Sequence, residues 1–109
     1  MPGSSTIPIG NTKNVFVIQA ALTPAQVNTV TAPEQTFTVN GLLVNDCVFV
    51  QKPTAQAGLG IAGARVTAAN TLGITYVNPT AGNITPTAET YLIVVVRPEN
   101  SSPFPTAIV

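Results

Sequence analysis

The chain has 109 residues, with four basic and four acidic side chains, no histidine, no tryptophan and one cysteine. Only 7% of its residues are charged, against roughly 25% in an ordinary soluble domain, while 45% are hydrophobic. This excludes Ser-His-Asp and Cys-His nucleophiles, His-based or Cys-rich metal sites and an internal disulfide, and four cations at net charge zero are too few for a phosphate-binding surface.

Residues 1–14 are broken by glycine and proline and read as an irregular arm. Residues 15–21 (VFVIQAA) predict a first strand that ends before Thr23-Pro24. Thr23 suits the N-cap and Pro24 the first position of a short helix over 23–27, while residues 26–31 alternate Val27 with polar neighbours. A turn at 32–34 leads to alternation over 35–39, and Asn40-Gly41 is a strong turn dipeptide. An apolar block over 42–50 stops at Lys52-Pro53. Residues 54–63 are rich in glycine and alanine, with room for one helical turn at 56–61. Alternation resumes over 64–68, Ala69-Asn70 turns, and residues 72–77 predict a strand closed by Asn78-Pro79. After a loop over 80–88, residues 90–97 (TYLIVVVR) form the most apolar segment. Such a run predicts burial on both faces, as in a central strand or one covered by another subunit. Residues 98–109 are proline-rich and show no strand period.

About seven short strands at intervals of about 8–12 residues predict an all-β, antiparallel β-sandwich or jelly roll. It spans residues 15–97, with extended N- and C-terminal arms over 1–14 and 98–109. No apolar run approaches the ~20 residues of a spanning helix, and no basic stretch followed by an apolar one opens the chain. Neither membrane insertion nor secretion is expected.

Gly58, Gly60 and Gly63 match G-x-G-x-x-G, but Pro53 precedes them, strand-like alternation follows, and position 83 is asparagine where an acidic residue would hold a ribose. They read as a backbone-dense turn. Cys47 reads as a small buried hydrophobe. Glu34, Asp46, Glu89 and Glu99 are too scattered to ask for a catalytic pair or a calcium cage. Glu34 and Glu89 are expected at strand entrances, with Arg65 or Arg97 pairing with one of the acids. The tripeptides at 83–85 and 100–102 satisfy the glycosylation pattern but are common by chance in so Asn-, Ser- and Thr-rich a chain. No catalytic residue, metal or cofactor is assigned, and the chain is not expected to be an enzyme.

The arms carry apolar anchors: Ile7, Pro8 and Ile9 at one end, Phe104, Pro105, Ile108 and Val109 at the other. Their proline-restricted backbone loses little entropy on docking. They pack back on their own domain or reach across to a neighbouring subunit, and the second alternative makes them the candidate partner-binding residues.

The run over residues 52–97 resembles the small cement (decoration) proteins on capsids of tailed double-stranded-DNA bacteriophages. The likeness rests on K-P with A-G-L-G-I, A-R-V-x-A-A-N-T-L, I-T-Y-x-N-P-T, and I-T-P-x-A-E-T-Y before an apolar strand ending in Arg97. It extends upstream more loosely through A-L-T-P-A and P-E-Q-T-F-T-V, and leaves both arms outside. The resemblance implies a jelly roll on the outer capsid surface, bound to the major capsid protein. It also implies association with itself as dimers near local two-fold axes, trimers being found among decoration proteins of other folds. The alternative is a β-sandwich adhesin or carbohydrate-binding module of a virion fibre or tail, whose sugar platform would draw on Tyr76, Tyr91 and four phenylalanines.

Overall fold

Valine, isoleucine and threonine, stiff at χ1, suit a pleated surface better than a helix, and the chain uses them accordingly. The computed structural model describes residues 11–99, 104, 106 and 107. These form strands β1 (Thr12–Leu22), β2 (Glu34–Thr38), β3 (Cys47–Gln51), β4 (Gly60–Ala68), β5 (Thr71–Val77) and β6 (Glu89–Pro98). They assemble into two antiparallel sheets of three strands, ordered β1-β6-β3 and β2-β5-β4.

Several expected boundaries shift. Strands β1 and β6 take in residues 12–14 and 98, so the ladder reaches into both segments read as arms. The described residues form six strands rather than about seven, because residues 26–31 contribute only isolated pairs, Val27 with Ile84 and Thr31 with Asn78. Val30 interrupts any longer ladder there, its φ of 50° lying in the left-handed region. The expected helix over 23–27 does not form. The Gln35 amide takes both Ala25 backbone groups instead, its Oε1 accepting from Ala25 N at 2.8 Å and its Nε2 donating to Ala25 O at 2.9 Å. At 56–61 the chain makes a turn, Leu59 N donating to Gln56 O at 3.1 Å, before β4 begins.

Alternate residues of each strand point inward. Tyr91, Ile93, Val95 and Val48 from one sheet meet Leu72, Ile74 and Tyr76 from the other, with Leu22, Val27, Val39 and Leu42, in one buried cluster. The Tyr76 and Tyr91 hydroxyls lie 2.9 Å apart inside it, each phenol satisfying the other. Strand β6 is central in its sheet, as its composition predicts, but it is not buried on both faces. Tyr91, Ile93 and Val95 face the core, whereas Thr90 and Leu92 are exposed on the other side.

Candidate functional site

Three of the four carboxylates are held in ion pairs. Arg65 grips Glu34 with Nε and Nη2 at 2.8 and 2.9 Å, across the small Gly73. A Cβ at Gly73 would stand 2.6 Å from Glu34 Oε2. Arg97 grips Asp46 with the same two nitrogens at 3.0 and 2.8 Å, donates to Gly41 O at 2.8 Å, and lies over the Phe16 ring. Lys52 Nζ stands 2.9 Å from Glu89 Oε2, and Thr54 Oγ1 donates to Glu89 Oε1 at 2.7 Å. The hydrogen bonds from these cations hold the Glu34, Asp46 and Glu89 carboxyls below their ordinary range. Glu34 and Glu89 each open a strand, and Arg65 pairs with Glu34, as the sequence predicts; Arg97 takes Asp46.

The other sequence candidates resolve one by one. Gly58 sits in a turn at φ 81°, Gly60 opens β4, and Gly63 lies within that strand, so no helix N-terminus follows the glycines. Among the described residues no group of three or more acidic, cysteine or histidine side chains is placed to hold a metal ion. No helix is long and apolar enough to cross a membrane. Cys47 is exposed rather than buried. The register explains this: Cys47 pairs with Val96, whose neighbour Val95 is the inward residue.

That register exposes a larger feature. Across β1, β6 and β3 the residues facing away from the core form rows: Val15, Val96 and Cys47; then Val17, Val94 and Phe49; then Gln19, Leu92 and Gln51. Val17 and Phe49 are 66% and 64% exposed. None of the nine carries a charge. The outward residues of the other sheet, by contrast, include Glu34, Thr36, Thr38, Arg65, Thr71 and Thr75. One outer face is thus polar and the other apolar, and an exposed contiguous apolar face marks an interaction site more often than it marks ordinary surface.

Of the arm residues, Phe104 is exposed and borders a recess with Thr12, Asp46, Cys47, Val96 and Pro98, at one end of the apolar face. Ile7, Pro8, Ile9, Pro105, Ile108 and Val109 lie outside the described residues. Sequence reasoning did not single out Val15, Val17 and Phe49. Their signal was the continuous apolar character of 15–18 and 48–50, which fits a strand apolar on both sides. No family model, curated protein or solved structure matches the chain.

Proposed function

We propose that the chain is a structural virion protein, a cement protein that binds the outside of a phage capsid and strengthens contacts between major capsid protein subunits. One observation carries the reading: the uncharged apolar outer face of the β1-β6-β3 sheet on a chain with 7% charged residues. Such a face is desolvated without stripping ions, and burying it yields about 25 cal/mol per Å² of apolar area before association costs. Many identical copies on one shell act together, so modest affinity per site suffices. In this reading the two sheets close as a sandwich of jelly-roll type, and the chain performs no chemistry and takes no cofactor. Phe104, beside the apolar face, and the anchors Ile7, Pro8, Ile9, Pro105, Ile108 and Val109 extend the contact to neighbouring subunits. The carbohydrate-binding alternative draws no support, since both tyrosines are buried in the core.

The test is attachment to purified capsids freed of surface proteins. The wild-type chain is expected to bind at saturating stoichiometry and raise the temperature at which particles release DNA. Failure of the folded wild type to bind would overturn the reading.

A further inference from the structure

A strand at a sheet edge presents unpaired N–H and C=O groups, and proteins blunt such edges with short strands, bulges, proline or charge. The two sheets leave four edges: β1, β3, β2 and β4. Strands β2 and β3 have five residues each. Strand β4 has nine but shifts register between Ile61 and Gly63 and again between Val66 and Ala68. Strand β1 is different. It has 11 residues without proline, keeps unbroken register with β6 from Asn14 to Leu22, and carries one charge, Lys13, near its start. Among the described residues it hydrogen-bonds to β6 alone.

We propose that β1 pairs edge to edge with β1 of a second copy of this chain, antiparallel about a two-fold axis, joining two three-stranded sheets into one of six. Strand β1 fits its own reverse. Full overlap of residues 14–22 puts Ile18 on the axis, Val17 opposite Gln19, Phe16 opposite Ala20, and Val15 opposite Ala21. The bulky first half of the strand lies against the small second half. Opposed residues in an antiparallel pair point to the same side, so core-facing and outward residues stay in their layers. The two copies of Lys13 fall at opposite ends of the ladder and do not repel. An overlap of this length runs about 30 Å, and with its flanking side chains reaches roughly the 1,000 Å² that a specific interface requires. Pairing also makes the two apolar outer faces continuous. None of this depends on attachment to a capsid.

The experiment is sedimentation equilibrium of the full chain in reducing buffer, which keeps Cys47 from cross-linking copies, read together with hydrogen–deuterium exchange. The comparison protein is V17K/Q19K, which sets lysines opposite one another across the axis. Val17 and Gln19 are both exposed in the single chain, so the fold tolerates the change. The wild type is expected to form a dimer and the variant to remain monomeric. Amides of residues 14–22 should exchange at least about tenfold more slowly in the wild type, while those of β2 and β3 match between the two proteins. A monomeric wild type overturns the proposal. So does a variant that still dimerises, or a dimer whose β1 amides exchange as fast as those of the monomer. The readout uses the protein alone, so failure to bind capsids leaves it standing.

Discussion

Val30 is the clearest case of a residue at odds with its backbone. It is β-branched, sits at φ 50° and is 75% exposed, so it bears strain without burying its side chain. Replacing it by asparagine, which tolerates the left-handed region, is expected to raise stability by about 1 kcal/mol in urea unfolding; an unchanged or lower midpoint would contradict the strain. The ion pairs act in the opposite sense. Because Glu34, Asp46 and Glu89 are more acidic in the fold than when free, their contribution is fully present above the ordinary carboxylate range and is lost as pH falls through their folded values. Burial, helped by the Tyr91 hydroxyl, pushes the Tyr76 phenol up, so its contribution is present below its ordinary value and lost at alkaline pH. Stability should therefore be level between about pH 5 and 9 and fall on either side. Asp46→Asn should shallow the acid limb, and a melting temperature flat down to pH 3 would exclude the assignment.

At the scale of elements, each strand's two faces do different work. Ile93 is fully buried, and Ile93→Ala is expected to cost about 2–5 kcal/mol in denaturant unfolding. Val17, outward in the same sheet, should tolerate serine within about 0.5 kcal/mol. Equal costs at the two sites would mean that the apolar face is covered by the chain itself. Most strands were legible because alternation is local: 35–39, 64–68 and 72–77 each read as a strand from neighbours alone. Sheet membership was not, since β1 joins β6 across nearly the whole chain and the choice depends on distant partners. The same limit accounts for Cys47, whose side of β3 follows from its pairing with Val96, and for 23–27, where Gln35 competes with the helix. Asn40-Gly41 was readable as a turn, with Gly41 at φ 97°, but not the cap that Asn70 Oδ1 places on Gly41 N.

At the scale of the whole molecule, low charge and apolar surface converge on one side. Six of the eight formal charges are spent on three internal pairs, among residues that tie loops to strands, and none faces outward from the nine-residue apolar grid. The grid was half legible. Residues 92–96 announced a strand apolar on both sides, and cover by another subunit was one of its two readings, but Val15, Val17 and Phe49 join it only through register. The central claim is that this face, and not the polar one, meets the capsid. Occupancy on stripped capsids tests it most directly, comparing V17D/F49D on the apolar face with T36D/T75D on the polar face, both first shown to be folded by circular dichroism. The first pair is predicted to lose attachment at least about a hundredfold, the equivalent of roughly 2.7 kcal/mol, while the second binds as the wild type does. Full occupancy by V17D/F49D with loss by T36D/T75D would contradict it.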